Sequence, residues 1–165
     1  KKIKVINLVL KNRLHAALIL VISFLFMSCG NEVLVDNSEE FEEGYWEVKN
    51  TFATQFEVSD TVNNYNFFVT LRNTNDYPYQ NLYVFLKTEF PNGKQKIDTI
   101  NCPLASAQGN WLGKGFAGVY DNRVLYMARK RFPLTGPYKI SIAHGMREND
   151  LPGILDVGVR IEKAP

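Results

Sequence analysis

From Tyr45 onward the chain alternates apolar and polar residues with a period of two, and turn-forming residues interrupt the pattern. In Asn66–Arg72, Phe67, Val69 and Leu71 share one face, as expected of a strand with one side buried. The same pattern predicts strands at Tyr45–Phe56, Leu82–Thr88, Lys94–Ile100, Val124–Phe132, Tyr138–His144 and Leu155–Ile161. Some seven or eight short strands, with no long amphipathic helix, predict an all-β fold: an antiparallel β-sandwich of immunoglobulin-like or jelly-roll kind.

One of these segments also suits a helix. Val124–Phe132 contains Leu, Met, Ala, Lys and Arg, which are good helix formers. Its short length, with Asp121-Asn122 before it and Pro133 after it, fits a strand equally well. We interpret it as a strand.

The first 28 residues follow a different pattern. Residues 1–15 carry five basic residues and no acidic one, and Ala16–Met27 is purely apolar. An apolar run of about a dozen residues matches the roughly 7–15 of an export signal and falls short of the ~20 that span a membrane. The pattern predicts a signal peptide over residues 1–28 that is removed on export.

The apolar run ends at Ser28-Cys29-Gly30, which resembles a bacterial lipobox. In a lipobox, diacylglycerol is attached to the cysteine thiol, and cleavage frees the cysteine amine for a further acyl chain, so that several chains together form a stable anchor. Phe26 and Met27 depart from the usual Leu and small residue. The alternative is an ordinary signal peptide with a chance cysteine at its end. We expect Cys29 to be lipidated and to hold the protein on a membrane.

Residues 29–44 are acidic and show little periodicity. This composition predicts a lipidated N-terminus followed by a flexible tether, with the β-sandwich domain over residues 45–165. The alternative is a first strand that contains Val33, Leu34 and Val35.

Removal of the signal peptide reverses the net charge. The whole chain has 19 basic and 17 acidic residues, net +2, and loss of the five basic residues of the signal leaves 14 against 17, net −3. Nucleic acid is therefore not expected as a partner, because it would require a clustered positive surface. With Cys29 lipidated, only Cys102 remains and no internal disulfide can form, so we expect Cys102 to be a buried small hydrophobic residue.

Candidate catalytic chemistry is sparse. His144 is the single histidine after the signal, so a histidine-rich metal site or a histidine-dependent triad lacks its parts. The spacing of Asp98, Asp121 and Asp156 identifies no general acid and base. We expect no catalytic residues, metal, cofactor or small-molecule substrate. A hydrolase is the alternative if these aspartates line a deep pocket.

Three aromatic residues in turn-rich segments are candidate contacts. Tyr77 and Tyr79 flank Pro78, and Trp111 lies among four glycines in Gly109–Gly118. They pack over the edge of the core or they contact a partner, either a protein or sugar rings on which aromatic side chains stack. Contact with sugar rings would make the domain an envelope glycan-binding module.

Long blocks of the chain resemble the gliding motility lipoprotein H family (GldH) of the phylum Bacteroidota. Besides the lipobox at Cys29 and Tyr65-Asn66, the blocks are Leu71–Phe85, Ile97–Ala105, Gly109–Tyr126 and Met146–Lys163. The resemblance implies a cell-envelope lipoprotein needed for gliding and associated with other proteins of the gliding machinery, which is linked to type IX secretion. It carries over Cys29 as the lipidation site and no enzymatic residue.

Two further expectations follow from patterns of this phylum. Surface export signals place several acids just behind the lipidated cysteine, and here Glu32 is the only acid in residues 30–33, so we expect an outer-membrane lipoprotein that faces the periplasm. Asp60-Thr61-Val62 and Asp98-Thr99-Ile100 resemble the short O-glycosylation pattern of the phylum. Thr61 and Thr99 are therefore candidate glycan acceptors.

Overall fold

The polar and apolar alternation becomes eleven strands in residues 32–165, the part of the chain that this computed structural model describes. In chain order they are β1 (Val33–Glu40), β2 (Tyr45–Glu47), β3 (Phe52–Val58), β4 (Tyr65–Thr74), β5 (Asn81–Glu89), β6 (Gln95–Pro103), β7 (Lys114–Phe116), β8 (Val119–Lys130), β9 (Gly136–His144), β10 (Asp150–Pro152) and β11 (Ile154–Lys163). The predicted signal peptide and Cys29 lie outside the described residues. Within that range, no helix has the length and apolar character that crossing a bilayer requires.

The long strands form two antiparallel sheets. One has the order β1-β11-β4-β8-β7 and the other β3-β9-β5-β6. If the eight long strands are numbered alone, the sheets read 1-8-3-6 and 2-7-4-5, which is the strand order of a jelly roll. The predicted antiparallel β-sandwich is confirmed, and the strand order selects the jelly roll over the immunoglobulin-like alternative.

The core lies between the inner faces of the two sheets. Along β4, Phe67, Val69 and Leu71 are buried and their neighbours are partly exposed, as the alternation predicts. On β5, Leu82, Val84 and Leu86 are fully buried, whereas the intervening Tyr83 and Phe85 are exposed. The segment Val124–Phe132, which suits a helix or a strand by composition, belongs to β8 and is a strand up to Lys130.

The predicted tether over residues 29–44 is wrong for most of its length. β1 occupies Val33–Glu40 and pairs antiparallel with β11, and Val35 is buried in the core. Phe41 is also buried and stacks on Trp46 with ring centroids 5.3 Å apart. The acidic composition conceals the strand because β1 is an edge strand, where charged side chains face water and oppose unwanted strand pairing. The folded domain therefore begins with β1 and not at residue 45.

The single strand predicted at Tyr45–Phe56 is two strands that belong to different sheets. β2 pairs with β10 in a small two-stranded sheet, and β3 begins after the turn at residues 48–51. Trp46 on β2 is fully buried, and its indole Nε1 donates a hydrogen bond to the Asn50 carbonyl at 2.7 Å. That bond closes the turn that ends the strand.

Candidate binding face

The outer face of the five-stranded sheet carries a row of charged residues that crosses all five strands. The register places Glu40 of β1 beside Asp156, Asp156 beside Arg72, Arg72 beside Asp121, and Asp121 beside Lys114 of β7. Side chains at register positions on one face of a sheet are neighbours. Residues distant in sequence are therefore assembled into one line.

Arg72 is the centre of this row. Its Nε donates to Asp121 Oδ1 at 2.9 Å and its Nη1 donates to Glu40 Oε1 at 3.2 Å. The Arg72 side chain is 41% exposed, and its partners are more exposed still. Exposed pairs of this kind contribute roughly 0–1 kcal/mol each, so they arrange charges more than they hold the fold.

Asp156 stands next to Arg72 and differs from the other acids of the row. It is only 7% exposed, and burial raises the pKa of its carboxyl above the ordinary value. A hydrogen bond with Ser38 and the positive charge of Arg72 act on this pKa in the opposite direction. Asp156 is therefore a carboxyl with limited access to water, between Glu40 and Arg72 in the charged row.

A second row of small residues lies beside the charged row and forms a depression. Ser38, Gly158 and Thr70 follow one another across three strands, and Arg123 on β8 completes the row. A side chain at Gly158 would collide with the Asn37 carbonyl at 2.5 Å and with Thr70 Oγ1 at 2.7 Å. The absence of a side chain at Gly158 leaves a depression in the middle of the outer face.

A third row forms the other side of the depression. Asp36, Arg160, Phe68 and Leu125 follow one another across four strands. Arg160 pairs with Asp36, and the Arg123 guanidinium lies 5.8 Å from the centroid of the Phe68 ring. Leu125 is 50% exposed, so this side offers apolar contact next to charge.

Members of the three rows line an open groove of about 850 Å³, which we call the outer groove. Further lining comes from Pro103 and from Leu112 and Gly113 in and beside the β6–β7 connection. Such a surface offers both signs of charge, hydroxyl groups and a small apolar area to a polar partner. One sequence signal points to it, the alternation that assigns every second position of a strand to the outside, but the cross-strand register is not accessible from the sequence.

The hydrolase alternative requires Asp98, Asp121 and Asp156 to line a deep pocket, and the outer groove can be compared with that requirement. It contains Asp121 and Asp156 but not Asp98, which faces a separate shallow hollow with Tyr126. The Asp121 carboxylate is already bound to Arg72. Residues 32–165 contain no group of three or more His, Cys, Asp or Glu side chains placed to hold a metal ion.

The structure separates the three aromatic candidates. Tyr77 is buried, its hydroxyl donates to the Asn81 carbonyl at 2.9 Å, and burial raises its pKa. The ring of Tyr77 packs at the edge of the core and has no surface available to a ligand. Tyr77 is therefore a packing residue and not a candidate contact. Tyr79 is partly exposed and its hydroxyl is bound to Glu148.

Trp111 is partly buried against the core. Its Nε1 donates to Asn75 Oδ1 at 2.9 Å, and its ring centroid lies 5.6 Å from that of Tyr120. Main-chain bridging to Ala105 fixes its backbone. The packing interpretation accounts for these contacts, while its chain neighbour Leu112 lines the outer groove.

The two nucleophilic or titratable candidates are buried. Cys102 is a fully buried free thiol, and burial raises its pKa to about 12, so the prediction of a small hydrophobic role is confirmed. His144 ends β9, as expected, and burial lowers its pKa. Its ring packs edge-on against Trp46, with centroids 5.2 Å apart.

The two candidate glycan acceptors lie in different settings. Thr61 is half-buried in the β3–β4 loop, where the preceding Asp60 carboxylate accepts the backbone N–H groups of Val62 and Asn63. Thr99 is exposed in the middle of β6. The hydroxyl of Thr99 is therefore more accessible to a glycosylating enzyme than that of Thr61.

Fold and face together define a jelly-roll β-sandwich with a charged groove on its larger sheet. The model of the GldH lipoprotein family matches residues 33–161, and the chain belongs to that family. It is 35% identical over 147 residues to the gliding motility lipoprotein GldH homolog of Christiangramia forsetii, with 85% of this chain and 90% of that protein covered. It is 30% identical over 156 residues to gliding motility lipoprotein GldH of Flavobacterium johnsoniae, with 90% and 96% covered.

Solved structures resemble the chain more weakly. A carbohydrate-binding module specific for non-crystalline cellulose, CBM28, gives a TM-score of 0.42 at 17% identity, with 79% of this chain and 75% of that chain covered. The infectious bursal disease virus VP2 subviral particle gives a TM-score of 0.32 at 13% identity, with 81% and 32% covered. Neither likeness bears on function.

Proposed function

We propose that the protein is a membrane-anchored lipoprotein of the cell envelope that serves gliding motility as a non-catalytic accessory or structural subunit. Family membership and the names of its two relatives support the gliding role. The outer groove is the observation that supports the non-catalytic part, because Arg72 pairs with Asp121 and Glu40, and Asp36 with Arg160, across an open face. Such a face suits recognition of a polar partner.

The anchor is Cys29. The lipobox at the end of the apolar run supports acylation there, and the single acid in residues 30–33 supports an outer-membrane position facing the periplasm. Metabolic labelling with palmitate tests this in the native host. The wild-type chain takes up label in the membrane fraction, and Cys29→Ser does not. Equal labelling of both chains, or release of the wild-type chain into the soluble fraction, contradicts the anchor, and digestion by protease added to intact cells contradicts the periplasmic orientation.

The partner of the outer groove is a protein of the gliding machinery, which is linked to type IX secretion. Arg123 is exposed in the middle of the groove, whereas Arg147 is exposed in the β9–β10 loop outside it. In a strain lacking the native chain, we expect Arg123→Glu to reduce colony spreading and crosslinked recovery of the machinery. Arg147→Glu is the matched control and keeps both. Equal effects of the two variants, at equal protein levels, contradict a role for the groove.

An envelope glycan-binding module is the second candidate. Tyr79 and Trp111 keep part of each ring exposed near the end of the sandwich, and this exposure is the observation that favours it. A glycan array with the unlipidated chain tests it. Selective binding that is lost on Tyr79→Ala supports glycan recognition, and the absence of selective binding contradicts it.

O-glycosylation is a separate proposal about the mature chain. The exposure of Thr99 and its position between Asp98 and Ile100 support it, and Thr61 is the second acceptor. An intact mass above polypeptide plus lipid, lowered by Thr99→Ala, is the expected result. A wild-type mass equal to polypeptide plus lipid contradicts the proposal.

A further inference from the structure

The two ends of the sandwich can be told apart by the strand register. Val33 at the start of β1, Lys163 at the end of β11, Tyr65 at the start of β4 and Lys130 at the end of β8 lie at the same end. The β3–β4 and β8–β9 loops join the two sheets there. We call this the basal end. The opposite end, formed by the β4–β5, β6–β7 and β9–β10 connections, is the distal end.

The basal end carries a run of three exposed cations, Arg129, Lys130 and Arg131. Within residues 32–165, neither Lys130 nor Arg131 has an acidic side chain within ion-pair distance. Arg129 donates from Nη2 to the Pro165 carbonyl at 3.0 Å and from its backbone N–H to Asn66 Oδ1 at 2.9 Å. The run is therefore held in place at Arg129, and its two following charges remain available.

The distal end is mixed in charge but mainly acidic. Its loops and short strands carry the exposed cations Lys49 and Arg147 and four exposed acids: Glu42, Glu43, Glu148 and Asp150. The chain after residue 28 is net negative, with 14 basic and 17 acidic residues. A negatively charged membrane repels such a chain as a whole, and the three adjacent cations of the basal end oppose that repulsion locally.

Chain length brings the basal end to the membrane. Cys29 precedes Val33 by four residues, which span at most about 14 Å when fully extended. The ten residues of β4 extend the sandwich by about 33 Å away from that end. Charges interact appreciably within a Debye length of about 8 Å at physiological salt. The basal end therefore stays near the headgroups while the lipid is inserted, and the distal end comes that close only if the sandwich lies along the bilayer.

We propose that the basal end rests on anionic phospholipid headgroups through Arg129, Lys130 and Arg131, which orients the sandwich with its distal end away from the bilayer. The proposal depends on lipidation of Cys29. The occupant is a lipid surface and not a soluble anion, because the anchor fixes the distance to that surface. Orientation of the domain is then set by charge as well as by the short connection.

The test uses the mature lipidated protein in vesicles of phosphatidylcholine with or without phosphatidylglycerol. A single cysteine, Val62→Cys, at the 72% exposed position of the β3–β4 loop carries an environment-sensitive fluorophore. The buried Cys102 does not compete for the label. Quenching by headgroup-labelled lipid is expected to be stronger with phosphatidylglycerol than without it. With phosphatidylglycerol it is also expected to exceed the quenching of a fluorophore at Gln108→Cys on the distal end.

Removing the two available charges provides the decisive variant. At about fivefold per cation near an anionic surface, Lys130→Gln with Arg131→Gln lowers the ratio of membrane-contacting to free orientations roughly 25-fold. The matched control is Lys49→Gln with Arg147→Gln, which removes two exposed cations from the distal end and leaves quenching unchanged.

Two results overturn the proposal: equal quenching in both kinds of vesicle, or an increase with phosphatidylglycerol that survives the Lys130 and Arg131 substitutions. A failure of the anchor itself is recognised separately, because the protein then lacks the lipid mass and does not associate with either vesicle.

Discussion

The basal and distal ends of the sandwich are both closed by aromatic side chains, yet they differ in charge and in construction. At the basal end the Phe132 ring lies 5.2 Å from Tyr65 and 5.1 Å from Tyr138. At the distal end the Trp46 ring lies 5.3 Å from Phe41 and 5.2 Å from His144. Aromatic packing therefore does not distinguish the ends. Surface charge does, and so does the lipid attachment that we propose at Cys29.

The construction of the two ends differs in its dependence on short strands. The basal cluster is borne by β4, β9 and the loop after β8, which continue the main sheets. The distal cluster centres on Trp46 of β2, and β2 and β10 are three residues each and pair only with one another. The distal cluster thus joins a short strand to the main sheets through Trp46, and we expect it to respond more sharply to substitution at that residue.

Trp46→Ala is expected to have the largest effect. Deleting a fully buried tryptophan leaves a cavity and costs about 3–5 kcal/mol. Trp111→Ala is the matched control at the same end and costs about 1 kcal/mol, because Trp111 is only partly buried. Urea unfolding measures both. Equal losses would show that the two-stranded sheet does not hold the distal end.

His144→Leu tests the titration of the distal end. Burial lowers the pKa of His144, so below about pH 6.5 the unfolded chain binds a proton that the folded chain does not, and stability falls as the pH falls. The charges of Glu148 and Asp150 oppose this shift. Melting temperatures between pH 7 and pH 5 should decline in the wild type and decline less in the variant. Parallel profiles would contradict the assignment.

Asp60→Asn gives the corresponding test at the basal end, with a smaller effect because the carboxylate is partly exposed. Bonds from Asn63, Val62 and Tyr65 hold the pKa of Asp60 well below its ordinary value. This carboxylate therefore stabilises the fold above about pH 4, and the contribution is lost as the pH falls further. In acid unfolding followed by circular dichroism, stability should fall more steeply below about pH 4 in the wild type than in the variant. Equal slopes would exclude Asp60 as a source of acid sensitivity.

Arg72→Met is expected to have the smallest effect on stability, below about 1 kcal/mol, because its two ion pairs are exposed. The same substitution removes the central charge of the outer groove. A folded variant that fails to spread in the gliding assay would separate the groove from the fold. A loss of several kcal/mol in urea unfolding would instead make Arg72 a structural residue.

The parts of the fold that can be predicted from the sequence are those that depend on the apolar and polar pattern within a single strand. Phe67, Val69 and Leu71 alternate with polar neighbours, and their burial follows from that pattern alone. For β1 the pattern leaves a strand at Val33, Leu34 and Val35 only as the alternative to a tether, because its acidic residues face solvent at an edge and its partner β11 is distant in sequence. The outer groove cannot be predicted from the sequence, because Glu40, Asp156 and Arg72 meet only through the register.

The orientation of the sandwich and the role of the outer groove are tested most directly by comparing a basal and a distal position in native membranes. A photoreactive residue replaces Val62 in one strain and Leu112, which is 57% exposed beside the outer groove, in another. We predict lipid adducts from position 62 and protein adducts from position 112, with the protein adducts lost on Arg123→Glu. Protein adducts at position 62 together with lipid adducts at position 112 would contradict both the orientation and the role of the groove.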